Sequence, residues 1–275
     1  MGKGSKNATS RPVRPKYVLE EGSLESLEAE KKRTKALLEY YWKFYSELAY
    51  QRNEKQEEIL SVLRENCVTG FAFKNWQRAV KYKYCLHPFS TVGSLSDPGG
   101  RFNIGDLNSN IRQFPGLYVA ADKDTALQET LGQSNIGSEL TAQERALTNP
   151  QSETIVSVRG KIDRVFDLRN SKALKGFVQI IKKFTLPESL LELADILGED
   201  RPKMIQNKNQ LLKSLLDPDW RVWPARYDIP SNPQVFGHLL YLAQIEGVIY
   251  PSKFTGKECV AIFPHIFSFQ HHLLK

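Results

Sequence analysis

The chain has 275 residues, 41% apolar and 25% charged, the ordinary composition of a globular protein with enough length to bury a core. No window approaches the ~18 uninterrupted apolar residues of a membrane-crossing helix, and three cysteines without a CxxC pair indicate neither a disulfide framework nor a cysteine zinc site. The net charge of +7 is uneven: residues 1–100 hold 17 Lys and Arg against 12 Asp and Glu, and residues 101–275 hold 21 against 19.

The opening Met1-Gly2-Lys3-Gly4-Ser5-Lys6 has no apolar segment of signal-peptide type, and Lys6 stands where a myristoylation motif needs Ser or Thr, so a cytoplasmic location is expected. Residues 1–18 carry Lys3, Lys6, Arg11, Arg14 and Lys16 without an acid and with few apolar groups, which predicts a disordered basic leader. Such a leader is either a solvated tail or a contact for nucleic acid or an acidic partner through counterion release; no aromatic groups are interleaved with its charges, which argues against single-strand binding. Residues 19–70 read as a helical N-terminal extension. Leu38, Tyr41, Tyr45 and Leu48 fall on one face, Ser23 or Ser26 is placed to cap, and either one long helix or a helical hairpin broken near Tyr50 to Asn53 fits.

After Gly70 the helical period is lost, and residues 87–116 are dense in Gly and Pro, which forces turns. Leu117 to Ala120 reads as a short buried strand and Lys123 to Leu131 as a helix capped by Asp122 or Asp124. Thr154 to Val158 and Arg164 to Leu168 read as two strands joined by a turn at Gly160. Residues 172–216 are helical with a polar break from Gly198 to Asn209; Trp220 to Pro233 is an aromatic, proline-rich connector. A helix from Gln234 to Glu246 and core strands at Gly247 to Tyr250 and Cys259 to Phe263 complete the chain. Strands mixed with helices behind a helical front predict an α+β fold with a mixed sheet.

Four segments carry residues suited to chemistry. In Gly99-Gly100-Arg101-Phe102-Asn103 two glycines permit close backbone approach to a ligand, and Arg101 supplies a planar fork for phosphate oxygens. Tyr118, in the strand Leu117-Tyr118-Val119-Ala120, offers a ring for stacking. Glu129, in Ala126-Leu127-Gln128-Glu129, places a carboxylate near the inward side of a helix, where an unpaired charge is costly. In Tyr250-Pro251-Ser252 a hydroxyl stands at a strand end. The five histidines, His87, His238, His265, His271 and His272, have no metal-ligand spacing.

In their order and contexts these segments resemble the RES domain family, named for its arginine, glutamate and serine. Gly247-Val248-Ile249-Tyr250-Pro251-Ser252, the strand Arg164 to Leu168, Pro230-Ser231-Asn232-Pro233-Gln234, and Trp76-Gln77-Arg78-Ala79 as the opening arginine segment extend the match. The resemblance assigns residues 71–275 to such a domain and treats a helical stretch near 172–216 as an insertion. It implies an ADP-ribosyltransferase-like core that takes NAD as substrate and breaks its nicotinamide–ribose bond, with no cofactor or metal. The acceptor is water or phosphate, or else a protein side chain. It also implies a toxin held in check by a protein antitoxin of Xre type. Carried over by position, Arg101 and Arg78 contact the pyrophosphate or ribose, with Lys81 and Lys83 as neighbours that compete for the place of Arg78. Tyr118 stacks near nicotinamide, Glu129 is the catalytic carboxylate and Ser252 completes the pocket. A reading of another class is a nucleic-acid- or partner-binding module built on the basic N-terminal region.

Overall fold

The computed structural model describes residues 24–131 and 153–266, so the basic leader and Ser23 lie outside the described residues. The first two elements are α1 (Leu24–Glu54) and α2 (Gln56–Glu65), with the break at Lys55. Helix α2 buries Ile59, Leu60 and Leu63 in the largest apolar cluster of the chain. Tyr40 of α1 packs against Leu190 and Ala194, so both N-terminal helices rest on the remainder of the chain.

The strand β1 (Val68–Lys81) follows, where the sequence shows only a loss of helical period. It pairs along its length with β5 (Glu153–Asp167). The continuity of β5 corrects the expectation of two strands and a turn at Gly160. Gly160 lies opposite Phe73, and a Cβ on it would stand 2.8 Å from that ring, so the glycine makes room for an aromatic side chain inside a strand.

β4 (Leu117–Ala120), β6 (Gly247–Pro251) and β7 (Glu258–Ile262) complete a closed barrel in the order β1-β4-β7-β6-β5, antiparallel except between β5 and β6. The α+β fold with a mixed sheet is therefore as expected. Side-chain alternation divides the core in two. Leu117, Val119, Val165, Ile249, Val260 and Ile262 meet Phe73 and Trp76 on one face, whereas Ala120, Phe166, Val248, Tyr250, Cys259 and Ala261 face the helices. Burial on both faces is why β6 and β7 read as continuous apolar runs.

Between the strands lie α3 (Lys123–Leu131), then α4 (Lys175–Ile181), α5 (Glu188–Leu197), α6 (Lys208–Leu215), α7 (Val222–Tyr227) and α8 (Asn232–Leu242). The expected polar break separates α5 from α6: Gly198 ends α5 at φ 72°, and the Asn207 side chain accepts from the backbone of Asn209 and Gln210 to start α6. The aromatic connector contains a short helix, α7, that its prolines conceal. Among the described residues no helix is long and apolar enough to cross a membrane.

Candidate active site

The Gly-Gly-Arg-Phe-Asn segment folds as a small hairpin of β2 (Gly99–Gly100) and β3 (Asn103–Ile104), with Arg101 and Phe102 at its tip. The glycines make a contact within the protein that the sequence does not show. A Cβ on Gly100 would stand 2.4 to 2.6 Å from the Tyr118 ring and hydroxyl, and Gly99, at φ 91°, lies against the Gly105 backbone. This close approach seats the hairpin on the ring of Tyr118, and both glycines also line the cavity that Arg101 enters.

Buried polar groups fix this seat. Asn103, fully buried, donates from Nδ2 to the carbonyls of Ser94 (2.7 Å) and Phe114 (3.0 Å). Its Oδ1 accepts from the Gly100 N–H (3.0 Å) and the Tyr118 hydroxyl (2.9 Å). That hydroxyl in turn accepts from the Phe102 N–H at 2.9 Å. From α8, Gln234 Nε2 reaches the carbonyls of Pro98 (2.7 Å) and Asn103 (3.2 Å), and Gly237 brings the helix backbone onto the Phe102 carbonyl. Ser231 and Gln234 form a reciprocal cap at the start of α8, so one glutamine both begins the helix and holds the hairpin. The Pro-Ser-Asn-Pro-Gln sequence carried that capping signal, but nothing in it pointed to the hairpin.

Arg101 is buried at 5% exposure. Its Nη1 donates to the Asp217 carbonyl at 2.6 Å, and its Nε has no hydrogen-bond partner. The side chain lines a cavity of about 420 Å³ whose wall also includes Arg78, Tyr118, Glu129, Arg221 and Tyr250. That volume is in the range of small-molecule sites.

Glu129 reaches this cavity from α3, one turn after Ala126, which lines it too. Asp122 starts the helix by accepting from the Thr125 N–H and hydroxyl, and Thr125 meets Thr255 at 2.9 Å, which ties α3 to the turn after β6. From that turn Ser252 donates its hydroxyl to Glu129 Oε1 at 2.7 Å while accepting from the Phe254 N–H at 3.2 Å. Ser252 is buried behind Glu129 and is not part of the cavity wall. Its position suits it to orient the carboxylate.

Arg78 lines the cavity from β1, but three of its nitrogens donate to the carbonyls of Pro88 (2.7 Å), Tyr118 (3.1 Å) and Ser90 (3.1 Å). Burial lowers its pKa to about 10, with the nearby Tyr118 opposing. The guanidinium thus pins the Gly/Pro-rich loop to β4. Lys81 and Lys83 also lie on the wall.

The cation that sequence reasoning missed is Arg221, at the exposed mouth of the cavity. Its guanidinium lies 4.4 Å from the centroid of the Trp220 ring. Partial withdrawal from water lowers its pKa, and the positive charge of Arg101 lowers it further. Only its place within an aromatic run hinted at a buried contact. A second carboxylate, Glu153, stands at the start of β5 on the same wall. Burial raises its pKa, Lys81 opposes the shift, and one of its oxygens has no hydrogen-bond partner.

The acidic groups at the cavity floor stay neutral. Burial raises the pKa of Tyr118, Tyr250 and Cys259, and the charge of Glu129 adds to the rise at Tyr250 and Cys259. Cys259 is accordingly a thiol at neutral pH and no candidate nucleophile. Among the described residues no cluster of three His, Cys, Asp or Glu is placed to hold a metal.

The RES domain model matches residues 75–273 of this chain. Among solved structures, the crystal structure of the M. tuberculosis MbcT-MbcA toxin-antitoxin complex is similar, with a TM-score of 0.44 and 14% identity, covering 80% of this chain and 90% of that one. No curated protein sequence matches the chain.

Proposed function

The chain belongs to the RES domain family, and from that premise we propose that it is an NAD-consuming enzyme that cleaves the nicotinamide–ribose bond. The observation that carries this reading is the composition of one cavity wall: Arg101 and Arg221, close enough for one charge to act on the other, share it with the carboxylate of Glu129. Two like charges are held together there at a cost that a bound pyrophosphate offsets, and a lone carboxylate beside them suits a sugar that becomes cationic.

Nicotinamide leaves NAD as a neutral base, so its departure needs little acid catalysis. The barrier lies in the oxocarbenium-like ribose that remains. Glu129, held by the Ser252 hydroxyl, accepts a hydrogen bond from a ribose hydroxyl and stabilises the developing positive charge. Arg101 and Arg221 bind the phosphates, so that remote binding orients the reacting bond. Arg78, with three nitrogens on backbone carbonyls, contributes chiefly by shaping the wall, and Arg221 takes the second phosphate contact. The Tyr118 ring, with one side seated on Gly100, is held rigid next to where nicotinamide would stack.

The resemblance further supports the role of a toxin paired with a protein antitoxin of Xre type. The acceptor for ADP-ribose is water or phosphate in this reading, and a protein side chain in the alternative one. The test is release of nicotinamide from NAD by the purified chain, with and without phosphate, and with labelled NAD to detect transfer to a macromolecule. Glu129→Gln is expected to slow release about 100-fold or more. No release by the parent, or equal release by the variant, overturns the reading.

A further inference from the structure

A second cavity, of about 610 Å³, lies between α1 and the segment that runs from α6 to α8. Its wall is aromatic: Tyr41, Phe44, Tyr45, Trp220 and Trp223 line it, with Trp223 centred 5.1 Å from the Tyr41 ring and 6.0 Å from that of Phe44. Trp220 also lines the NAD cavity, and Asp217, on the wall of the larger cavity, supplies the carbonyl that holds Arg101. The two cavities therefore abut, but the larger one contains none of the residues assigned to catalysis.

Arg52, from the last turn of α1, lines this apolar space. Its guanidinium carbon is 5.5 Å from the centroid of the Tyr45 ring. The side chain is half-buried, and its withdrawal from water lowers its pKa, with Tyr45 opposing; among the described residues no carboxylate lies within ion-pair distance of it. Asp200, Lys203, Asp217 and Asp219 share the cavity wall, and none of the three carboxylates forms an ion pair with Arg52. Burial lowers the pKa of His238 on α8, and the charges of Arg52 and Arg112 lower it further. A guanidinium drawn partly out of water without an anion carries a desolvation cost that a bound anion offsets.

We propose that this cavity is a second ligand site, which takes a small apolar monocarboxylate: an aryl or acyl body between the aromatic rings, and a carboxylate on Arg52. The planar fork of arginine matches the two oxygens of a carboxylate, and Arg52 has no carboxylate partner among the described residues. The volume falls within the range of small-molecule sites, and the rings supply flat apolar walls. The proposal is independent of the NAD reading, because it concerns a different cavity and its readout is binding.

The experiment titrates the full chain with 2-naphthoate, 4-phenylbutyrate and decanoate, and with the primary amide of each, following tryptophan fluorescence and heat. At least one acid is expected to bind at a single site with a Kd below millimolar and about 10-fold or more tighter than its amide. Arg52→Met is expected to reduce acid binding to the level of the amide, and Arg52→Lys, which keeps the charge but not the fork, to fall between. If Arg52→Met does not fold, the acid-to-amide ratio of the parent and the Lys variant decide. Equal binding of acids and amides, no binding of any probe up to millimolar concentration, or undiminished acid binding by Arg52→Met overturns the proposal.

Discussion

Ser252 and Glu129, 123 residues apart, meet through a 2.7 Å hydrogen bond in which the serine hydroxyl donates to the carboxylate. The serine is buried and outside the cavity wall, so in the proposed reaction it acts through Glu129. A hydrogen bond to a charged group contributes about 1.5–3 kcal/mol, roughly 10- to 100-fold in rate if it is needed in the transition state. Ser252→Ala is therefore expected to lower kcat for nicotinamide release by that factor while KM for NAD changes little, and Ser252→Thr to restore most of it. An unchanged kcat in Ser252→Ala would show that the bond is only structural.

The seating of the Gly-Gly-Arg hairpin gives a stability prediction. Gly100→Ala drives a methyl group into the Tyr118 ring, which cannot withdraw because its hydroxyl is bonded to Asn103 and Phe102. Overpacking of this kind costs about 1–3 kcal/mol, a fall of roughly 2–12 °C in Tm at about 2–4 °C per kcal/mol for a chain of this size. Gly198→Ala meets no atom within 4 Å and carries only the strain of its φ of 72°, about 1 kcal/mol. Thermal unfolding of the two variants should separate them; equal falls would remove the packing argument.

What could be read from the sequence follows from how local each signal is. β4, β6 and β7 were legible because their residues are buried on both faces, and α3 because Asp122 caps it within three residues. β1 was not: Asn75, at φ 60°, and a register shift between Phe73 and Trp76 interrupt the alternation that marks a strand. Gly160 reads as a turn in sequence because a glycine that admits a ring from the neighbouring strand looks the same there as one that bends the chain. Arg101, Tyr118 and Glu129 stood out through their motif contexts, and the fold brings them to one cavity with Ser252 behind. Arg221 has no such context, since only tertiary packing carries it beside Arg101, 120 residues earlier.

Arg221 offers a test that separates binding from folding. It is exposed at the cavity mouth and is disfavoured by partial burial and by the charge of Arg101. Arg221→Gln is thus expected to leave Tm unchanged or slightly higher, while KM for NAD rises about 10-fold, the scale of one charge-assisted phosphate contact. Arg101→Gln, which strips a buried bond to the Asp217 carbonyl, should lower Tm as well as activity. If Arg221→Gln leaves KM as it is, the second phosphate contact lies elsewhere, and Lys81 and Lys83 become the residues to exchange.

Stability should fall on the alkaline side, and the direction follows from the cavity floor. Cys259, Tyr118 and Tyr250 are buried in neutral form, each with a pKa raised above its ordinary value of 9.0 for the thiol and 10.0 for the phenols. The folded state holds these protons when the unfolded chain has begun to release them, so the stabilising contribution is complete below about pH 9 and declines above it. Denaturant unfolding measured from pH 7 to 11 should show a plateau and then a decrease that begins near pH 9. Cys259→Ala removes one of two thiols whose pKa burial raises, Cys67 being the other, and should make the first part of the decrease shallower, at a cost of about 1 kcal/mol at neutral pH for the lost sulfur. The same burial predicts that Cys259 resists alkylation at pH 8 in the folded protein and reacts once it is unfolded, which mass spectrometry of the modified peptides would read directly.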